Sequence, residues 1–158
     1  MKKSIVAFVL ASMISFAYAR DEAYVPDGFI GQSASLLRDK IAIVTIEVSK
    51  WGGPEKPLEV KVIEVLHGPK SLLSVTTIYD DEFDPVFREQ FKVGTKWLLR
   101  VRPYNEAGSG KWVSSYYETS HLELKDDRVT GSILEYRKNE SMKYADFKKL
   151  LVEKLSKP

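Results

Sequence analysis

The sequence predicts a small, mainly β domain of the α+β class: a five- or six-stranded β-barrel with a short N-terminal helix and a C-terminal helix. Three observations support this prediction. Short runs rich in Val, Ile and Thr recur along the middle of the chain, as strands do. In one of them, 58–66, the apolar positions change parity halfway, which indicates a bulge of the kind that lets a small sheet close. Residues 141–155 show instead the apolar spacing of an amphipathic helix.

Residues 1–19 have the organisation of a secretory signal peptide. Two lysines follow the initial Met, residues 5–16 are apolar, and residues 17–19 (Ala-Tyr-Ala) fit the small-x-small rule for cleavage. The apolar run is shorter than the roughly 20 residues that a membrane span needs. We therefore expect cleavage after Ala19 rather than retention as an anchor. The mature chain would be one domain, residues 20–158, without a membrane span, and either periplasmic or secreted.

Charge and cysteine content exclude several classes of function. The chain has 24 basic and 22 acidic residues, and loss of the two N-terminal lysines with the signal peptide leaves 22 of each. A neutral chain has no general attraction to nucleic acid or to an anionic membrane surface. The chain has no cysteine, which excludes disulfides, thiolate metal sites and a cysteine nucleophile.

The first elements follow from alternation and from breakers. Residues 20–32 are predicted to form an irregular arm, and Ser33 is placed to cap a short helix that ends at Asp39. In the first strand, 41–48, every second residue is apolar and faces one side: Ala42, Val44, Ile46 and Val48. The glycines and prolines of loop 49–57 end that strand.

The second strand carries the parity change. Leu58, Val60 and Val62 share one face, whereas Ile63 and Val65 occupy odd positions. A strand whose side-chain period is two cannot change face in this way without an extra residue. We therefore predict a bulge near Ile63.

Three more strands and a hairpin are predicted downstream. The third strand spans 72–79, the acidic loop 80–90 follows, and the fifth strand spans 111–117. Hairpin 121–130 turns at two aspartates. In the fourth strand, 96–101, Trp97, Leu99 and Val101 point one way and Lys96, Arg100 and Arg102 point the other way, with Leu98 as the exception to this alternation.

The final helix is predicted over residues 141–155. Ser141 or Asn139 provides the N-cap. The buried stripe of this helix consists of Phe147, Leu150, Leu151 and Leu155.

Short strands that coil at the second strand and are closed by helices are typical of an OB-type barrel. Over residues 36–102 the chain resembles the netrin-like modules, which share this barrel with the tissue inhibitors of metalloproteinases. The shared patterns are V-x-V-x-x-V-L-x-G, here residues 60–68, and G-x-x-[YW]-L-[LV], here residues 94–99. The resemblance implies an OB-like fold and a role in binding proteins. It does not carry over the inhibitory mechanism, which needs an N-terminal cysteine that this chain lacks.

Trp51 is the first candidate binding residue. It stands with Gly53 in the loop between the first two strands, and an aromatic anchor on a loop is typical of protein-binding sites. The alternative is that the ring folds back over the end of the barrel, because exposing so large an apolar group is costly. We include both Trp51 and Gly53 in the predicted site.

The second candidate group is Tyr79, Asp80 and Asp81, where the third strand meets the acidic loop 80–90. Clustered carboxylates are the ligands that calcium prefers. The loop lacks the spacing of an EF-hand, and acidic runs are commonly solvated. We therefore predict binding residues here without a metal.

No catalytic set is visible in the sequence. Hydrolase, P-loop and zinc-protease motifs are missing, and neither His67 nor His121 lies at a metal-ligand spacing. We predict no catalytic residue, no metal and no cofactor. The favoured hypothesis is an exported, non-enzymatic module that binds an envelope protein or a protease through its barrel loops.

Two alternatives stay open. One is an envelope enzyme or small-ligand carrier with a pocket near the acidic loop 80–90. The other is a structural module that docks through an apolar face left over on the C-terminal helix.

We expect the mature protein to begin at Arg20. Expressed in a bacterium with its own leader, the protein from the periplasmic fraction should give an N-terminal sequence that starts Arg-Asp, because small residues at 17 and 19 direct the cleavage. The Ala19→Phe variant should retain its leader. Intact mass measures both, and a wild-type product that keeps residues 1–19 would contradict export with cleavage.

Overall fold

A computed structural model describes residues 27–156 apart from 38–39, 54–55, 82–85, 88, 105–109 and 115–118. The predicted signal peptide lies outside these residues. The described chain forms one antiparallel sheet of eight strands and two α-helices. The elements are α1 (Phe29–Ser35), β1 (Ala42–Lys50), β2 (Leu58–His67), β3 (Thr77–Ile78), β4 (Lys96–Pro103), β5 (Trp112–Ser114), β6 (His121–Lys125), β7 (Arg128–Gly131), β8 (Glu140–Lys143) and α2 (Tyr144–Leu155). The α+β class is confirmed, with more strands than the predicted five or six.

The sheet divides along one edge of β4. Its strand order is β3-β2-β1-β4-β6-β7-β8, and β5 also pairs with β4. On the edge away from β1, residues 96–99 pair with β6 and residues 101–103 pair with β5. We call the point where the pairing changes, at Arg100, the fork. A single parallel bridge joins Tyr79, just after β3, to Val113 of β5.

The predicted bulge in β2 is confirmed. Thr45 of β1 pairs with Glu64 and Ile46 pairs with Val62, so Ile63 has no partner across the ladder. Ile63 is 42% exposed, while Val62 and Val65 on either side of it are buried. The extra residue returns the apolar side chains to the same face and increases the local twist of the strand.

Strand β1 is buried on both faces because two hydrophobic cores lie against it. The inner core contains its even-numbered residues and the inward residues of β2 and β4, among them Val44, Val62 and Leu99. The outer core contains Ile43 together with Leu98 and residues of β6, β7 and both helices. The sheet therefore separates an inner core, which includes no residue of the two α-helices, from a helical layer.

The N-terminal helix begins earlier than predicted. The helix α1 includes residue 33, so Ser33 is not its cap but a buried helical residue whose hydroxyl donates to the carbonyl of Phe29 at 2.6 Å. The first N–H groups of the helix donate to the carbonyls of Ser132 and Ile133. A neighbouring loop thus supplies the acceptors that a side-chain cap would otherwise provide.

The C-terminal helix begins later than predicted. Ser141 lies in β8 instead of capping the helix, and Asn139 precedes that strand. Helix α2 buries Phe147 and Leu151 in the outer core. The other two residues of the predicted stripe, Leu150 and Leu155, pack against the same core while partly buried. This packing places most of the predicted stripe against the outer core, while Val152 of the same helix stays exposed.

The third predicted strand is mostly not a strand. Residues 70–74 form a 3-10 helix that buries Leu72, and β3 is reduced to Thr77 and Ile78. The hairpin β6–β7 forms as predicted, with positive φ at Asp126 and Asp127, as a two-residue type I′ turn requires. Strand β5 ends at Ser114, and the rest of the predicted fifth strand, 115–117, lies outside the described residues.

A group of polar contacts joins helix α2 to strands β1 and β2. The hydroxyl of Tyr144 donates to Glu64 at 2.8 Å and lies 2.7 Å from the hydroxyl of Thr45, which is therefore the donor in that pair. Lys148 forms an ion pair with the same carboxylate at 3.3 Å. Burial raises the pKa of the Tyr144 phenol above its ordinary value, so the ring stays neutral and keeps its proton for Glu64.

Arg100 is buried, although alternation placed it on the basic face of β4 with Lys96 and Arg102. Its side chain is 0% exposed and lies between β4 and α1. The guanidinium donates to Gln32 Oε1 at 3.1 Å and to Ser33 Oγ at 3.3 Å, and it lies 5.5 Å from the ring centroid of Phe29. The backbone N–H of Arg100 donates to the carbonyl of Ser120 at 2.8 Å, where pairing with β6 ends. The arginine therefore joins the fork to the helical layer.

Replacing Arg100 by Met should lower the free energy of unfolding by roughly 2–4 kcal/mol, because several buried acceptors would lose their donor. The Arg100→Lys variant should recover little, since an ammonium group lacks the planar fork of donors. Lys96→Met, on the same face of β4 but exposed, should change stability by less than about 0.5 kcal/mol. Urea unfolding measures all three, and equal effects of the Arg100 and Lys96 changes to Met would contradict the structural role of the guanidinium.

Candidate functional site

Trp51 lies directly after β1 and is partly buried against the inner core. Its indole nitrogen is itself buried and has no hydrogen-bond partner among the described residues. The ring therefore packs against the inner core, while part of it stays at the surface. Gly53 has a φ of 109°, and a Cβ there would meet nothing within 4 Å, so this glycine serves the loop conformation.

Tyr79 lies in a group of aromatic residues beside β5. The ammonium of Lys111 lies 5.2 Å from the ring centroid of Tyr79 and 5.9 Å from that of Tyr104, within the range of cation–π contacts. Trp112, next in the chain, is partly buried against the inner core. We call Tyr79, Tyr104, Lys111 and Trp112 the aromatic patch. The two tyrosines are half-buried, and Lys111 is exposed.

Asp80 organises the start of the acidic loop. Its Oδ1 accepts hydrogen bonds from the N–H of Asp81 at 3.0 Å, from the N–H of Val86 at 2.8 Å and from the hydroxyl of Ser114 at 3.1 Å. Its Oδ2 accepts from the N–H of Phe87 at 3.3 Å. A carboxylate with this many donors holds a loop in place.

Asp81 is engaged as well. Its side chain is only 2% exposed, and its Oδ2 accepts from Arg102 at 2.7 Å in an ion pair. Within the part of the chain that the structure describes, no group of three or more His, Asp or Glu residues is placed to hold a metal ion. The two predicted aspartates thus connect the acidic loop to β4 and β5.

A cleft that the sequence reasoning missed lies at the fork. It has a volume of about 270 Å³. The side chains around it come from the end of the acidic loop, from three strands and from the loop before β8: Gln90, Trp97, His121, Glu123, Thr130 and Asn139. We call it the fork cleft.

The strand pairing explains how these residues meet. Trp97 of β4 pairs with Glu123 of β6, and Glu123 pairs with Thr130 of β7. Directly paired residues in antiparallel strands point to the same face. The row therefore begins in the inner core at Trp97 and continues across β6 and β7 to the half-buried residues Glu123 and Thr130.

Aromatic rings form one wall of the fork cleft. Phe91 packs on Trp97 with 4.4 Å between ring centroids, and the imidazole of His121 lies 5.4 Å from Phe91 and 5.9 Å from Trp97. The side-chain nitrogen of Gln90 lies 3.0 Å from His121 Nε2. This pair joins the end of the acidic loop to the start of β6.

The sequence signal for this cleft was present but ambiguous. His121 and Glu123 occupy alternate positions of β6, which is also the pattern of a solvent-facing strand. The cleft further needs residues that lie far apart in the chain. In the sequence, His121 was a candidate only for metal ligation, and no local pattern indicates that it lies near Gln90 or Thr130.

Comparisons with known proteins identify no relative: no protein-family model, no curated protein and no solved structure matches the chain. Neither described helix is long and apolar enough to cross a membrane. A function for this chain must therefore be argued from its own residues and their geometry.

Replacing Asp80 by Ala should lower the free energy of unfolding by about 2 kcal/mol, because the buried donors around it lose their acceptor. The Glu89→Ala variant is the matched control: this acidic residue of the same loop is exposed, and its loss should cost less than about 0.5 kcal/mol.

Thermal unfolding with and without calcium completes the experiment. Wild type and Asp80→Ala should each melt at the same temperature in both buffers. A melting temperature that calcium raises in wild type but not in Asp80→Ala would instead make Asp80 a cation ligand.

Proposed function

We propose that this protein is an exported, non-enzymatic binding module with an OB-like barrel that binds another protein of the cell envelope through its barrel loops. The leader-like residues 1–19 support export. The aromatic patch is the observation on which the binding role chiefly depends.

The strand connections support the barrel. Strands β3, β2, β1, β4 and β5 pair in that order. The bridge between Tyr79 and Val113 brings the two ends of this series together, with the N–H of Tyr79 donating to Trp112 and the N–H of Ser114 donating to Tyr79, both at 2.9 Å. A series of five short strands whose first and last members approach each other in parallel is what a closed OB-type barrel requires.

The aromatic patch has the chemistry of a protein-binding surface. Tyrosine and tryptophan bring large contact areas with few rotatable bonds, and they dominate the energy of many interfaces. Lys111 is held over two rings and adds one positive charge in a chain of nearly balanced charge. The partner should therefore present an apolar contact with a carboxylate beside it.

Trp51 provides a second contact on the same barrel. Trp51 and Trp112 both pack against the inner core while part of each ring reaches the surface. Rings anchored in this way are rigid before the partner arrives, so their ordering costs little on binding.

A photo-crosslinking amino acid at positions 51 and 104, introduced in the cells that export the protein, tests the proposal. Both positions should give an adduct with the same partner. Position 149, on the exposed side of α2, is the matched control and should give none. Adducts of equal yield from all three positions, or none at 51 and 104, would contradict binding through the barrel loops.

With the partner in hand, Lys111→Glu and Trp51→Ala should each weaken binding at least about tenfold, the size of effect that interface anchors produce. The Lys149→Glu variant carries the same charge change on an exposed helix position and should bind like wild type. Titration calorimetry measures the dissociation constants, and circular dichroism verifies that each variant is folded.

A small-ligand carrier is the second candidate function. The fork cleft favours it, since Gln90 at the end of the acidic loop lines a concave site with several converging polar groups.

A further inference from the structure

We infer that the fork cleft is a binding site for a small saccharide without an anionic group, either a free sugar or the terminal sugar of a glycan. The site is separate from the aromatic patch. The cleft lies beside the paired strands β4, β6 and β7, whereas the residues of the patch lie at the start of β5 and next to the ends of β3 and β4.

The cleft fits a small ligand. Its volume of about 270 Å³ is just below the range of roughly 300–1,000 Å³ of drug-sized sites. One sugar ring is of this scale, whereas a folded protein segment is not. The cleft lies on the β6 side of the fork, beside the paired strands β4, β6 and β7.

The charges around the cleft disfavour an anion. Glu123 is half-buried in its wall, and no Lys or Arg lines it among the described residues. A carboxylate or phosphate on the ligand would face Glu123 without a counter-charge, and repulsion is strong where water is partly excluded.

The aromatic wall disfavours a ligand that binds through a cation–π contact. Trp97 is only 6% exposed, because Phe91 lies against it and His121 is close to both rings. The indole therefore closes the wall and offers no open face to an ammonium group. Its own N–H donates to Thr95 Oγ1 at 2.8 Å and is not available to a ligand.

The remaining polar groups suit hydroxyl groups. Gln90 and Asn139 carry amides that both donate and accept, the hydroxyl of Thr130 does the same, and Glu123 accepts. A sugar presents several hydroxyl groups, each of which donates and accepts in turn. A site with converging groups of both kinds and a shaped wall can satisfy several of them at once.

Titration with four sugars followed by NMR tests the inference. The neutral probes are glucose and N-acetylglucosamine, glucuronate is the anionic probe, and glucosamine is the cationic probe. The indole N–H of Trp97 and the backbone amides of Leu122 and Gly131 report on the cleft. We expect saturable shifts with a neutral sugar, binding of glucosamine at least as tight because its ammonium group faces Glu123, and at least fivefold weaker binding of glucuronate.

Variants separate the cleft from nonspecific effects. Thr130→Val and Asn139→Ala should each weaken binding of the neutral sugar at least fivefold. Glu123→Gln should allow the anionic probe to bind as well as its neutral counterpart. Glu59→Gln, an exposed residue of β2, is the control and should change nothing.

Several outcomes would overturn the inference: no saturable shift with any neutral sugar up to 100 mM (about 1.4 kcal/mol of binding free energy), tighter binding of glucuronate, or equal binding by Thr130→Val and wild type. A methyl glycoside that binds like the free sugar assigns the site to a glycan end, and one that fails assigns it to the free sugar. Binding by Trp51→Ala as in wild type keeps the result independent of the protein-binding proposal.

Discussion

The buried guanidinium of Arg100 is the interaction on which the rest of the structure depends. One edge of β4 serves two strands, and the pairing changes at this residue. Its backbone N–H donates to the carbonyl of Ser120, just before β6, while its side chain donates to Gln32 and Ser33 of α1. A charge taken out of water is tolerated only when its donors are used, so the helix must lie where these acceptors meet the fork. That requirement sets the position of the helical layer.

Local periodicity allowed part of the fold to be predicted. Strands β1, β2 and β4, the hairpin β6–β7 and the bulge at Ile63 each follow from residues adjacent in the chain. Alternation reports which face a residue occupies, but it does not report whether another element covers that face. Arg100 and Ser33 were misplaced for this reason, because the elements that bury them are close to 70 residues apart in the chain. Ser141 was misplaced because β8 takes up the residues that a cap would need.

The same distinction separates the predicted site from the observed one. Composition identified Asp80 and Asp81 as clustered carboxylates, but only the fold shows that backbone N–H groups and Arg102 occupy them. For Trp51 the sequence left two placements open, an exposed anchor or a ring folded back, and the ring lies partly buried against the inner core. The fork cleft was not predicted because its residues come from separate segments whose polar positions resemble an ordinary exposed hairpin.

The branching at β4 also explains which residues meet at this place in the sheet. Strand β4 contributes Trp97 to the inner core, whereas Leu122 of β6 and Val129 of β7 lie in the outer core. The paired row Trp97, Glu123 and Thr130 runs across these three strands, and its chemistry changes from apolar to polar where the inner core ends. The cleft is therefore a consequence of the topology, whereas the aromatic patch depends on which residues the loops carry, and the two sites can change independently.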